Sequence, residues 1–158
     1  MSELLQKLST YNIFNYLFPG VVFVILLKHG TGINLIMDEL VLGMFLYYFF
    51  GLVLSRIGSI LIEPALRCAK IVEFSDYARF VRASKLDDKI ELLSEVNNMH
   101  RTIIAMLGVL LVISICNGSA TCHLTTGLLG IVILFILSYR KQTSFITKRI
   151  DETLRNTP

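Results

Sequence analysis

The sequence predicts an all-α integral membrane protein with four transmembrane helices and a helical cytoplasmic segment between the second and third. Three observations carry this reading. Of the 158 residues, 54% are hydrophobic and only 17% are charged, whereas soluble domains carry roughly 25% charge. The mean hydropathy is +0.65, which is more apolar side chain than a globule of this size can hide from water. The apolar residues are gathered in uncharged runs approaching the roughly 20 residues that cross a hydrocarbon core about 30 Å thick. The same composition excludes a disordered chain and a disulfide-framework secreted domain. A net charge of only +3 argues against a basic nucleic-acid binder, and no nucleic-acid binding is expected.

Residues 1–63 read as a first transmembrane hairpin, with spans at about 11–27 and 40–62. The first is closed by Lys28, His29 and Gly30. It is a retained helix rather than a signal peptide, because its apolar part holds Asn12, Asn15 and Pro19 and no small-x-small cleavage site follows Leu27. Pro19 removes a backbone donor and predicts a kink. The second span is interrupted only by Arg56 and stops at Glu63-Pro64. Residues 103–139 form a second hairpin, whose two short spans meet at the turn Asn117-Gly118-Ser119 and end at Arg140-Lys141.

Orientation follows from the Lys and Arg residues near span ends. Residues 64–102 carry Arg67, Lys70, Arg79, Arg82, Lys85, Lys89 and Arg101, and the basic tail, residues 140–158, carries Arg140, Lys141, Lys148, Arg149 and Arg155. The first short loop has Lys28 alone, and the second has neither Lys nor Arg. The bias puts both termini and the middle segment in the cytoplasm.

The middle segment reads as amphipathic helix. Ser75 is the expected cap of one helix, and Ser84-Lys85-Leu86-Asp87 has the form of a capping box opening a second. From there Leu86, Ile90, Leu93 and Val96 follow helical spacing. No Gly or Pro interrupts residues 73–107, so this helix is expected to run directly into the third span. Its acids and bases nearly balance, which suits packing on protein better than lying on anionic lipid. Asp88, Glu91 and Glu95 are therefore the expected partner-binding face. In the tail, Phe145, Ile146 and Ile150 fall on one side of a helix; its basic residues either only fix topology or also touch anionic lipid.

Arg56 lies about two turns inside the second span, and an intramembrane charge is a functional signal by default. It either snorkels to the interface, with Glu63 seven residues on as an ion-pair partner, or lines a pore. Gly51, Ser55 and Ser59 recur at every fourth position, with Gly58 widening the stripe. Small residues let helix backbones approach closely in lipid, so this face is expected to pack a helix, within one subunit or between subunits. Asn12, Asn15, Arg56, Glu63 and Asn98 reach one membrane depth in this topology, either as a polar site at the cytoplasmic mouth or as ordinary interfacial polarity. Cys116 and Cys122 bracket the outer loop, as a disulfide if the compartment is oxidising or as two free thiols. With His123 they have no recognisable metal-ligand spacing. No metal and no cofactor is expected. Catalytic constellations such as Gly-x-Ser-x-Gly, a Gly-Lys-Ser/Thr loop or His-Glu-x-x-His are missing, so an enzyme is not expected.

The opening Tyr11-Asn12-Ile13-Phe14-Asn15-Tyr16-Leu17-Phe18-Pro19-Gly20, together with Gly51-Leu52-Val53-Leu54-Ser55-Arg56-Ile57-Gly58-Ser59 and the following Glu63-Pro64, resembles small four-span bacterial inner-membrane proteins found in anti-phage defence loci, Kiwa-type membrane subunits among them. The resemblance covers the first two spans and residues 95–101. It implies a homo-oligomeric subunit that senses membrane damage or anchors a cytosolic effector protein. An ion-conducting pore that depolarises the membrane is the alternative.

Overall fold

The computed structural model describes residues 13–118 and 122–156. These residues form helices joined by turns and short extended links, with no strand among them. A π-helical segment, Ile13–Leu17, leads into α1, Phe18–Thr31. Next comes α2, Leu40–Ile57, continued by a second π-helical segment, Gly58–Ile62, and by the short α3, Glu63–Cys68. The remaining helices are α4 (Tyr77–Ser84), α5 (Lys89–Cys116) and α6 (Cys122–Arg155). Three continuous helical stretches are long and apolar enough to cross a membrane: Leu40–Cys68, Lys89–Cys116 and Thr125–Arg155. Together they mark a multi-pass membrane protein.

The expected kink at Pro19 is resolved differently. Pro19 is the second residue of α1 but the seventh of the helical run that begins at Ile13; its missing N–H leaves a gap in the backbone ladder, and the chain around that gap takes the wider π-helical turns of Ile13–Leu17. α1 ends at Gly32, whose φ of 77° is the left-handed cap and whose N–H donates to the Lys28 carbonyl at 3.0 Å. At the end of α3 the left-handed position belongs to Lys70 (φ 54°), and Ile71 N–H closes back on the Leu66 carbonyl at 2.9 Å.

α5 is the central element. It packs on α1 and α2 along one side and on α6 along the other. Three apolar clusters pack around it, the first two on different faces of the same stretch. Phe23, Val24, Leu27, Leu54, Ile103, Met106, Leu107 and Leu110 form the cluster nearest the Asn117 turn. Leu66, Val72, Ile104 and Tyr139 form the second. Ala83, Ile90, Ile146 and Ile150 form a third at the charged end. At 1.5 Å per residue, the 28 residues of α5 reach about 42 Å and the 34 of α6 about 51 Å. Both overrun a hydrocarbon core of about 30 Å, and the excess lies at the charged end, where α4 packs across them.

Two expected helix caps move. The cap of α4 is Asp76, not Ser75, and its carboxylate accepts from Ala78 N–H at 3.1 Å. Ser84 does not open the next helix; it is the last residue of α4, its hydroxyl donating to the Val81 carbonyl. The turn made by Lys85, Leu86 and Asp87 separates the helices, and Asp87 accepts from Lys89 N–H at 3.1 Å. Leu86 therefore lies off the helix and is exposed, as is Val96, while Ile90 is fully buried. On the tail, Ile146 and Ile150 turn inward but Phe145 turns outward.

The first two helices touch backbone to backbone. A Cβ on Gly20 would lie 1.7 Å from the Tyr47 carbonyl oxygen, and one on Gly51 would lie 1.8 Å from that of Tyr16. Neither contact can be relieved by rotating a side chain. Gly20→Ala and Gly51→Ala should each destabilise the protein by about 1–3 kcal/mol, the usual range for overpacking. Gly130→Ala, which meets nothing within 4 Å, should leave it unchanged. Thermal unfolding of the three variants in one detergent checks this.

Candidate functional site

Where α2, α5 and the π segment before α1 converge, their polar residues enclose a cavity of about 120 Å³. Asn15 and Tyr16 come from the π segment, Ser55, Arg56 and Ser59 from the second span, and Asn98 and Arg101 from α5. Of the polar residues expected at one depth, Asn15, Arg56 and Asn98 thus meet. Asn12 lies outside the described residues.

Glu63 does not line this cavity, and its expected pairing with Arg56 is replaced by another. Arg101 Nη1 donates to Glu63 Oε2, and Arg67 Nε stands 4.0 Å from Glu63 Oε1. The reason is local. Seven residues return to nearly the same face of an α-helix, but the Gly58–Ile62 segment has wider i→i+5 turns, and it carries Glu63 round toward α5. Arg101 is the more enclosed partner, with 14% of its side chain exposed against 22% for Glu63. Arg56 is exposed on the outer face of α2 and makes no ion pair with the described residues. Beside it, Leu52, Val53, Ile57, Ile60 and Leu61 form an apolar groove.

The stripe of small residues divides between two tasks. Gly51 seats the Tyr16 backbone, and a Cβ on Gly58 would come 3.1 Å from the Arg101 carbonyl. Ser55 and Ser59 face the polar cavity instead. The packing use of this stripe is therefore within the chain.

A polar seam between α5 and α6 was not foreseen. Ser138 Oγ lies 3.0 Å from His100 Nε2, while His100 Nδ1 bonds the Val96 carbonyl at 2.8 Å. One turn on, the Thr143 hydroxyl shares its proton between Asn97 Oδ1 (3.2 Å) and the Tyr139 carbonyl (2.8 Å). The signal was present as Asn97 and His100 on one helix and Ser138 and Thr143 on the other, spaced to meet in antiparallel register.

At the charged end the tail folds onto α4 and α5. Arg149 Nε donates to Asp87 Oδ2 at 2.6 Å, and Arg79 pairs with Asp151 at 2.9 Å. Asp88 and Glu91 remain exposed, and Glu95 is half-buried. Cys68 and Cys116 are free, exposed thiols; the Cys122 side chain lies outside the described residues. Among the described residues, no three His, Cys, Asp or Glu side chains gather as metal ligands. No known protein family, curated protein or solved structure matches this chain.

Two tests follow. Glu63→Gln leaves the enclosed Arg101 guanidinium without its counter-charge and should destabilise the fold by about 2–5 kcal/mol, whereas Glu73→Gln on the surface should have no effect; thermal unfolding distinguishes them. The Arg149 guanidinium holds the Asp87 carboxyl below its ordinary value of 3.8. Its contribution is therefore full above that value and disappears as pH falls through the lowered one. Proteolysis of the tail should accelerate on acidification through that range in the wild type. Asp87→Asn should show faster cleavage already at neutral pH and a smaller pH response, the remainder coming from the Arg79–Asp151 pair.

Proposed function

We propose that this protein is a non-enzymatic subunit of a bacterial inner membrane that crosses it four times and presents a helical head to a cytosolic effector. The observation that carries the reading is the built head: α4, the first turns of α5 and the end of α6 enclose their own apolar core, with Ile90 and Ile150 at 0% and 1% exposure. The helices extend beyond the bilayer to make it. A tail that served only to fix topology would need no such core.

The first span is supported by the continuous helical run from Ile13 to Thr31, about 28 Å long at 1.5 Å per residue. Sidedness rests on the Lys and Arg bias, which puts the head and both termini in the cytoplasm. The resemblance to Kiwa-type membrane subunits adds the homo-oligomeric state, the sensing of a membrane event and a place in antiviral defence. Self-association would use faces other than Gly51 and Gly58, which the chain's own backbone occupies. Conduction through a single chain is disfavoured, because Leu54, Met106, Leu107 and Leu110 close the bundle beyond the polar cavity.

The exposed carboxylates Asp88 and Glu91 are the surface assigned to the effector, with Glu95 at its edge. Asp88→Lys with Glu91→Lys should weaken co-purification of the soluble product of a neighbouring gene at least about tenfold, while membrane insertion and melting temperature stay at wild-type values. Loss of two favourable interfacial charges accounts for that size of effect. Unchanged co-purification would remove this surface from the reading, and native mass spectrometry of the detergent-purified protein gives the stoichiometry directly.

A further inference from the structure

We propose that the polar cavity bordered by Arg56 binds the phosphate group of an anionic lipid. Donor-bearing residues line it: Arg56, Ser55, Ser59 and Asn98, with Asn15 and Tyr16 beside them; Arg101 borders it too, but its Nη1 is spent on Glu63. No carboxylate lines it, since Glu63 turns to Arg101 and Arg67. One water needs only about 10–15 Å³, so a cavity of about 120 Å³ has room for a phosphate group. Guanidinium forks match phosphate oxygens in pairs, and such charge-assisted bonds are the strong ones.

Arg56 supplies the reason to expect an occupant. Sixteen residues separate it from Leu40, where α2 begins. At 1.5 Å per residue this places it about 24 Å into a core of about 30 Å, or roughly 6 Å short of the far boundary. A charge at that depth is unfavourable unless it reaches a partner or the headgroup layer, and the described residues provide no counter-charge.

The apolar groove selects lipid over free phosphate. Arg56 belongs both to the cavity and to the groove of Leu52, Val53, Ile57, Ile60 and Leu61 on the outer face of α2. A phosphate seated at Arg56 would leave its acyl chains beside Leu52 and Val53, which lie toward the middle of the span. Inorganic phosphate has no use for that groove. The inference needs only the membrane insertion of the preceding section, and holds whether or not the head recruits an effector.

The experiment is native mass spectrometry of the full chain in detergent with three probes: dioleoyl phosphatidylglycerol, dioleoyl phosphatidylcholine and inorganic phosphate. The wild type should retain phosphatidylglycerol in preference to phosphatidylcholine, and excess inorganic phosphate should not displace it. Arg56→Gln should lower phosphatidylglycerol retention about fivefold, the effect of one charge near the surface, and Arg82→Gln should not. Arg56 makes no hydrogen bond or ion pair with the described residues, so this variant should melt with the wild type; Ser59→Ala, which removes one donor, gives a second reading in the same direction. Equal retention of the two lipids, or full retention by both Arg56→Gln and Ser59→Ala, would overturn the proposal. Displacement by inorganic phosphate would overturn the lipid as its occupant. Effector capture through Asp88 and Glu91 is read separately, so failure of one inference leaves the other standing.

Discussion

The close approach of the first two helices sets the arrangement of the rest. Lipid tails are as apolar as leucine, so helices within a bilayer gain little from hiding hydrophobic surface and associate mainly through packing. Gly20 and Gly51 bring two backbones into direct contact, each glycine receiving a carbonyl from the other helix. This fixes which face of α2 looks inward. Gly43, Gly51, Leu54 and Gly58 are buried on that face, while Leu40, Phe45, Phe49 and Val53 are left on the outside. Arg56 goes outward with them.

α5 then couples the membrane-embedded part to the head. It supplies Ile103, Met106, Leu107 and Leu110 to the first cluster, Ile104 to the second and Ile90 to the third. The physics changes along its length. Near the Asn117 turn, side chains exchange lipid contacts for protein contacts and shape decides the outcome. At the charged end water is the competing solvent, and burying Ile90 or Ile150 contributes about 1.5–3 kcal/mol each by the hydrophobic effect. The Arg101–Glu63 ion pair lies between these regimes and ties α3 to α5.

The head's electrostatics separate internal from available charge. Asp87 and Asp151 are committed to Arg149 and Arg79 and hold the tail in place. Asp88 and Glu91 follow directly in sequence yet stay exposed. A basic tail that looks like a lipid contact in the sequence thus spends part of its charge on the chain itself, while Asp88 and Glu91 keep theirs at the surface.

Helix content, the apolar stretches and the unbroken course of Lys89–Cys116 could be read from residue order, because chain length, apolar runs and the lack of Gly or Pro are local properties. The gathering of Asn15, Arg56 and Asn98 was legible for a similar reason, since each depth follows from counting residues from a span end. The partner of Glu63 was not. Its choice of Arg101 over Arg56 depends on the π-helical turns of Gly58–Ile62, which rotate one end of a helix against the other without marking the apolar pattern. The docking of Ile146 and Ile150 on Ala83 and Ile90 likewise depends on α4 folding back across two longer helices. An amphipathic face announces that it will be covered; only the tertiary structure decides by what, because the covering residues lie some sixty positions away and meet through the register of α5 against α6.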